Sequence, residues 1–176
     1  MKIDRIKSRV TGKQLSTSNS ITCGKNNPAS LKCDFYDLEN GETATFFVPE
    51  EIHEGHTGIM HGGISAAVLD EVMGRATIHR TTSREEEWLP KYVTAEMTTK
   101  YLKPIHIGQK MFVYDRVDRI EGRCCFTSSE ITDEEGEVMA TATGVYVRID
   151  KLKDLLPAED YIKQAAVLTE EDPQEM

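Results

Sequence analysis

The strongest constraint on the fold is one stretch, residues 62 to about 81, whose residues predict a helix that is apolar on nearly every side. Two glycines open it, and residues 64–69 are all small or apolar. A helix without a polar face must be buried in a core. Asp70 nevertheless lies within it, and an ionised carboxylate in a core is costly unless it is paired, hydrogen-bonded or used in chemistry. Asp70 is therefore a candidate functional residue. The alternative is that it lies on the one wet edge of the helix.

Segments that favour β-strands surround this helix. Before it, Asn40-Gly41 separates residues 31–38 from residues 42–48, and Asn-Gly between such segments is the strongest short signal for a hairpin. After it come four further segments, which are separated by turn-forming residues: 92–102, 111–120, 123–132 and 138–149. The order of two strands, one long helix and four strands predicts an α+β domain with an antiparallel sheet curled around a single helix.

The length of 176 residues suits one domain whose core needs no disulfide or metal. Residues 1–20 are rich in Lys, Arg, Ser and Thr and are predicted to be a flexible segment, a transit peptide being the less favoured alternative. Residues 21–150 form the predicted domain. Residues 151–176 are predicted to be a peripheral helix or tail, and residues 83–90, polar apart from Trp88, a loop.

Charge and cysteine content narrow the partners and the compartment. The net charge of −9 argues against nucleic acid or an anionic membrane as a partner. No run approaches the ~20 apolar residues of a membrane span. The four cysteines lack metal-ligand spacing, so reduced thiols in a cytoplasmic protein are the simpler interpretation.

Three histidines before the helix, His53, His56 and His61, raise the question of a metal site. Their spacing is not the His-Glu-x-x-His of metalloproteases, because residue 57 is Thr. We expect no metal here. His61 is instead predicted to orient the glycine loop through a hydrogen bond, and His53 and His56 to line the entrance of a site or face water.

Several of these residues also occur together in a recognisable order. The run Gly58-Ile59-Met60-His61-Gly62-Gly63 is followed by Asp70, nine residues after the histidine, and later by Tyr101-Leu102-Lys103-Pro104. Over roughly residues 21–150 this pattern resembles the PaaI-like hotdog-fold acyl-CoA thioesterases of the thioesterase superfamily.

The resemblance implies a sheet of five or six strands wrapped around the long helix, with two subunits joined edge to edge. It implies hydrolysis of an acyl-CoA thioester to the free acid and CoA, with no cofactor other than the CoA of the substrate. The Gly62 N–H would polarise the thioester carbonyl, Asp70 would act as base or nucleophile, and Thr94 would help to hold the water. One position departs from the family: Gly55 stands where many members carry Asn or Gln.

The spacing of Gly62 and Asp70 tests this assignment independently. Eight residues on a helix span roughly 12 Å, because the rise per residue is about 1.5 Å. One carbonyl cannot touch both groups of one chain, so the mechanism requires Gly62 of one subunit and Asp70 of its partner. The sequence therefore predicts a homodimer, and a homotetramer if dimers pair further.

The remaining site candidates are predicted to bind substrate. Lysine and arginine side chains are the candidates for the phosphates of CoA. The full set is Gly63, Gly55, His56, Glu71, Lys100, Lys103 and Arg123, with Arg119 a weaker candidate. Two other functions stay open: a non-catalytic acyl-CoA sensor, and a hotdog hydratase or dehydratase, which would need His61 or His56 as general base.

Overall fold

The structure, a computed structural model, describes residues 1–3, 5–81, 91–150, 161–162 and 167–176. Its one long helix, α1, runs from Gly62 to Thr81, as predicted. The strands are β1 Val10–Lys13, β2 Ser16–Thr17, β3 Tyr36–Leu38, β4 Thr43–Phe47, β5 Glu54–His56, β6 Ile59–Met60, β7 Tyr92–Tyr101, β8 Met111–Glu121, β9 Cys124–Thr132, β10 Val138–Arg148 and β11 Tyr161–Ile162.

Seven of these strands form one antiparallel sheet in the order β1-β3-β4-β8-β9-β10-β7. The helix α1 packs against β4, β7, β8, β9 and β10 of this sheet. The predicted antiparallel sheet around a single helix is thus confirmed. It has more strands than the five or six expected because β1 adds an edge strand.

The core lies between α1 and the sheet. Val68, Leu69, Val72 and Met73 of the helix are all fully buried, and each such side chain contributes about 1.5–3 kcal/mol when it is removed from water. Strand β10 offers small residues at this interface. A Cβ on Gly144 would lie 3.1 Å from Sδ of Met73, so the missing side chain lets the helix approach the sheet closely.

The predicted hairpin is also confirmed. Strands β3 and β4 pair on either side of Gly41, which has a positive φ of 87°, a conformation that favours glycine. The Leu38 N–H donates to the Glu42 carbonyl at 2.9 Å. This hairpin carries β4 into place beside β8.

The prediction of a flexible segment over residues 1–20 is wrong for residues 10–13. These residues pair with β3 as the edge strand β1. The C-terminal residues in turn bind this segment, since the Ser8 N–H donates to the Met176 carbonyl at 2.7 Å and Lys13 forms an ion pair with Asp172 at 2.8 Å. The polar composition of the segment gave no sign of a strand, because β1 is stabilised by pairing with β3 and by contacts with C-terminal residues rather than by an apolar pattern of its own.

The C-terminal prediction is tested only in part. Residues 161–162 pair with β2 as a short strand, and residues 167–176 contain no helix, so a helix is wrong for these residues. Residues 151–160 and 163–166, and the predicted loop with Trp88, lie outside the described residues.

At the other edge of the sheet lies β7, whose outer side has no neighbouring strand in the described part of the chain. Nearly all its residues are exposed or half-buried, including Val93 and Tyr101. An exposed strand of this length presents a row of unpaired backbone groups to another chain. Within the residues described, no helix is both long and apolar enough to cross a membrane.

Candidate active site

Asp70 lies at the centre of a small hydrogen-bonded group. The Thr94 hydroxyl donates to Oδ1 of Asp70 at 2.7 Å. The Tyr146 hydroxyl lies 2.7 Å from the same oxygen and 2.8 Å from the Asp70 main-chain carbonyl. Asp70 is half-buried. It is therefore neither a core carboxylate without partners nor a fully solvated one.

The sheet register brings the two hydroxyls together. Thr94 of β7 is paired with Tyr146 of β10, next to an irregularity between Val145 and Tyr146. A bulge of this kind re-aims a side chain relative to a regular ladder. Because α1 crosses the sheet here, residues from three separate elements converge on one carboxylate.

The Tyr146 ring fits between two glycines. A Cβ on Gly144 would lie 2.8 Å from Cε2 of the ring, and a Cβ on Gly74 would lie 3.6 Å from Cε1. Burial of the phenol, with the Asp70 carboxylate nearby as the next cause, raises the pKa of Tyr146 far above its ordinary value. Its hydroxyl therefore stays protonated at neutral pH and is available as a donor.

A cleft of about 300 Å³ opens beside this group. Asp70, Thr94 and Tyr146 line it together with Thr17 and Ser20 from the N-terminal segment. The segment before residue 21, which the sequence placed outside the domain, thus contributes a wall of the candidate site.

Arg75 of α1 binds the N-terminal segment that contributes Thr17 and Ser20 to the cleft. Its buried guanidinium donates to the Leu15 carbonyl and, at 3.3 Å, to Sγ of Cys23. It also forms an i,i+4 ion pair with Glu71 at 2.8 Å. Glu71 lines the same cleft as Asp70. Its carboxylate is paired with Arg75, whereas that of Asp70 is bound by hydroxyl groups.

Gly62 lies in a different cleft, of about 380 Å³, which it shares with Tyr101 and Lys103. The Tyr101 hydroxyl donates to the Gly62 carbonyl at 3.1 Å. As the first residue of α1, Gly62 has an N–H with no preceding helical turn to supply an acceptor. The chain therefore offers an amide donor and a carboxylate in separate clefts and does not bring the two together by itself.

His61 holds the glycine loop in the way the sequence suggested, since its Nδ1 accepts from the Gly63 N–H at 2.8 Å. The Gly63 amide is thereby occupied. Gly55 packs directly against this histidine, and a Cβ at residue 55 would lie only 2.9 Å from Cα of His61. The backbone here leaves no room for the amide side chain that many family members carry.

The expectation for His53 is wrong. It is buried, its Nδ1 accepts from the Glu50 N–H at 2.9 Å, and its Nε2 donates to the Ala29 carbonyl at 3.1 Å. It is a structural residue. His56 is exposed on β5. In the part of the chain that the structure describes, no three His, Cys, Asp or Glu side chains cluster as metal ligands do.

The candidate cations lie at opposite ends of β7. Lys103 lies next to the Gly62 cleft and pairs with Glu137. Arg123 donates to the Arg148 carbonyl at 2.7 Å, beside Tyr92 at the other end of the strand. Lys100 is exposed on β7. Arg119 pairs with Glu121 at 2.7 Å. The side chains of Lys103 and Arg123 thus already have partners within the chain.

Known proteins share sequence with the part of the chain that carries this site. The family model described as thioesterase superfamily matches residues 57–140, the part that contains Gly62, Asp70 and Thr94. Residues 57–140 are thus similar to the thioesterase superfamily. The chain is 28% identical over 118 residues to the acyl-coenzyme A thioesterase THEM4 of Xenopus laevis, which covers 66% of this chain and 50% of that protein.

Solved structures share the fold of this chain. Thioesterase superfamily member 2 of zebra fish matches with a TM-score of 0.60 and 18% identity, over 72% of this chain and 90% of that one. The PaaI protein of E. coli matches with a TM-score of 0.58 and 17% identity, over 68% and 80% of the two chains. At these identities the likeness establishes the hotdog fold alone. The chain spans about half the length of the THEM4 relatives it matches.

Sequence reasoning missed one residue of this candidate site, Tyr146. The signal was available in β10, where Ala140, Ala142 and Gly144 precede Tyr146 on one face. Small residues on one face of a strand allow a helix to pack closely against the sheet. A large residue at the end of such a run indicates that the distance between helix and sheet has increased there. Which atom the phenol would meet was not deducible from the strand pattern.

Proposed function

We propose that this protein hydrolyses acyl-CoA thioesters, releasing a carboxylic acid and CoA. The observation that carries the proposal is the Asp70 carboxylate, which receives the Thr94 hydroxyl at 2.7 Å beside an open cleft. The similarity to acyl-coenzyme A thioesterases over the same residues supports it.

The chemistry needs a base or nucleophile and an oxyanion donor. Asp70 either takes a proton from water as that water attacks the carbonyl carbon, or attacks the carbon itself to form an anhydride that water then opens. The Gly62 N–H stabilises the negative charge that develops on the carbonyl oxygen. The C–S bond breaks, and the CoA thiolate leaves and is protonated by solvent.

The two groups meet only if two subunits share a site. Thr94 lies near Asp70 at one end of β7, and Tyr101 lies near Gly62 at the other end. Seven residues of strand separate Thr94 from Tyr101 and span roughly 23 Å. Antiparallel pairing of β7 with its copy, about the middle of the strand, sets the Thr94 end of one subunit beside the Tyr101 end of the other. Asp70 then faces the partner subunit's Gly62, twice per dimer.

The same pairing supports a role for the cations. Lys103 at one end of β7 and Arg123 at the other would approach each other across the dimer, although they are far apart in one chain. Lys100 lies exposed on the strand between them. We propose that some of these side chains bind the phosphates of CoA.

The direct test follows CoA release from short, medium, long and aromatic acyl-CoAs, with the wild type and Asp70→Asn. At least one substrate should be hydrolysed. The variant should remain folded and dimeric but lose on the order of 10²-fold or more in rate, because it loses the charged group. Equal rates for the two proteins would remove Asp70 from the mechanism.

Two other functions predict different outcomes. Tight acyl-CoA binding without CoA release would indicate a sensor. Hydration of an unsaturated acyl-CoA would indicate a hydratase. The contacts of His61 count against the second, because its Nδ1 already accepts from the Gly63 N–H.

A further inference from the structure

We infer that Tyr146 is a positioning residue of the active site: its hydroxyl holds the Asp70 carboxylate in one orientation, with Oδ1 bound and Oδ2 directed to the reacting water or thioester. The inference rests on the proposed function and adds a residue to it. Tyr146 lies outside residues 57–140, the part that matches the family model.

The contacts assign different roles to the two carboxylate oxygens. Oδ1 is approached by two hydroxyls, from Thr94 and Tyr146, each at 2.7 Å. Among the described residues, no protein donor reaches Oδ2. A hydrogen bond to a charged group contributes about 1.5–3 kcal/mol, so two donors on one oxygen hold the carboxylate plane and leave the other oxygen to act on substrate.

Tyr146 also ties the side chain of Asp70 to its own backbone. The hydroxyl lies within hydrogen-bonding distance of both Oδ1 and the main-chain carbonyl of Asp70. With one proton and two acceptors, the phenol bridges the helix backbone and the carboxylate. This arrangement restricts rotation of the Asp70 side chain, which Thr94 alone, from the exposed edge strand, does not achieve.

The surroundings of the ring fix the position of the hydroxyl. The ring is 2% exposed and lies between Gly144 and Gly74, where added Cβ atoms would meet it at 2.8 and 3.6 Å. A buried ring with backbone close to both of its edges has little room to follow Asp70 if that carboxylate moves. The hydroxyl of Tyr146 therefore holds the Asp70 carboxylate from a fixed position.

The test compares Tyr146→Phe with a matched control, Tyr36→Phe. Tyr36 also donates a buried hydrogen bond to an aspartate oxygen at 2.7 Å, that of Asp172, but it lies in a separate apolar cluster that includes Val10 and Met176. The two substitutions remove the same chemical group from buried tyrosine–aspartate pairs. Only one of the pairs belongs to the proposed site.

For Tyr146→Phe we expect kcat to fall roughly 10- to 100-fold while KM changes by less than about threefold, since orientation rather than binding is lost. Tyr36→Phe should change neither. An unchanged kcat in Tyr146→Phe, or equal effects of both substitutions on kcat, would overturn the inference.

Crystal structures of both variants separate this inference from the proposed function. We expect Asp70 to adopt a different or a second rotamer in Tyr146→Phe and to keep its orientation in Tyr36→Phe. This readout does not need a substrate. If the wild type hydrolyses no acyl-CoA, the proposed function fails while the positioning role is still tested. An Asp70 side chain that is unmoved in Tyr146→Phe refutes the role.

Discussion

The Tyr101 hydroxyl donates to the Gly62 carbonyl at 3.1 Å and so ties the first residue of α1 to the far end of the exposed strand β7. The Asp70 carboxylate is tied to the opposite end of the same strand by Thr94. The Gly62 amide and the Asp70 carboxylate, both on α1, therefore lie near opposite ends of this one strand. Antiparallel pairing of this strand with a copy of itself is the simplest way to join the two.

Mixing two inactive variants tests whether the site is shared. Asp70→Asn removes the acid, and Gly62→Pro removes the amide hydrogen at a first helical position, where proline is well tolerated. Each variant alone should lose most activity. After subunit exchange at equal amounts, half the dimers are mixed and each has one intact site, so about a quarter of the wild-type rate should return.

The double variant Asp70→Asn/Gly62→Pro, exchanged with wild type, serves as the control. Its mixed dimers contain two sites that each lack one group, so exchange should lower the wild-type rate rather than preserve it. If the sites were contained within single chains, the two single variants would never restore activity together. Absence of recovery despite proven subunit exchange contradicts the shared site.

Thr94 is expected to act through its hydroxyl alone. Thr94→Val should lower kcat roughly 10- to 100-fold, because one charge-assisted hydrogen bond to Asp70 is lost, and Thr94→Ser should retain most of the rate. Steady-state kinetics on the best acyl-CoA measures both. Thr98→Val, on the same strand and also exposed, is the matched control. Equal losses in the valine and serine variants would count against a hydroxyl role.

The sequence was most informative where one element determines its own structure. The bounds of α1 and the four later strands were predicted almost to the residue, because apolar content and alternation report burial locally. The group around Asp70 was predicted in part. Thr94 followed from a resemblance, whereas Tyr146 depends on the β10 register and on the space left by Gly144, which are properties of packed elements.

Strand β1 and the role of Arg75 were beyond sequence reasoning for a similar reason. The N-terminal segment has no apolar alternation, and it is ordered by a guanidinium from the helix and by pairing with residues near the C-terminus. Contacts between residues far apart in the chain produce no periodic pattern in the sequence. The cleft wall formed by Thr17 and Ser20 therefore became visible only in the folded chain.

Gly55 offers a prediction about the departure from the family pattern. An alanine there would place its Cβ 2.9 Å from Cα of His61, a backbone contact that requires the loop to move. We expect Gly55→Ala to destabilise the protein by about 1–3 kcal/mol, as overpacking does, and to lower kcat because the loop before Gly62 shifts. Chemical denaturation and steady-state kinetics measure the two effects.

Thr57→Ala, in the same exposed loop, is the control for Gly55→Ala and should leave both quantities near wild type. A stable and fully active Gly55→Ala would contradict the tight packing. Restoration of the common family residue, Gly55→Asn, should be at least as damaging as alanine, since its larger side chain meets the same backbone.

Asp115 provides a prediction on stability and pH. It is fully buried on β8, and neither carboxylate oxygen makes a hydrogen bond of normal geometry with the described residues. Burial, followed by the nearby Asp118, raises the pKa of Asp115 well above its ordinary value, against a smaller opposing effect of Arg116. Asp115→Asn should therefore raise the free energy of unfolding at pH 7, on the order of 2 kcal/mol, because asparagine neither takes up a proton nor buries a charge when the chain folds.

The pH dependence of this gain follows from linkage. Because the folded-state pKa is the higher one, the contribution of Asp115 to stability is complete below its unfolded value near 4 and is lost as pH rises through the folded value. The advantage of Asp115→Asn should thus shrink as the pH falls from 7 to about 4. Urea unfolding at fixed protein concentration measures it, with Glu134→Gln, at an exposed position after β9, as control. A gain that stays the same between pH 4 and 7 would mean that the pKa of Asp115 does not differ between the folded and unfolded chain, and it would contradict this prediction.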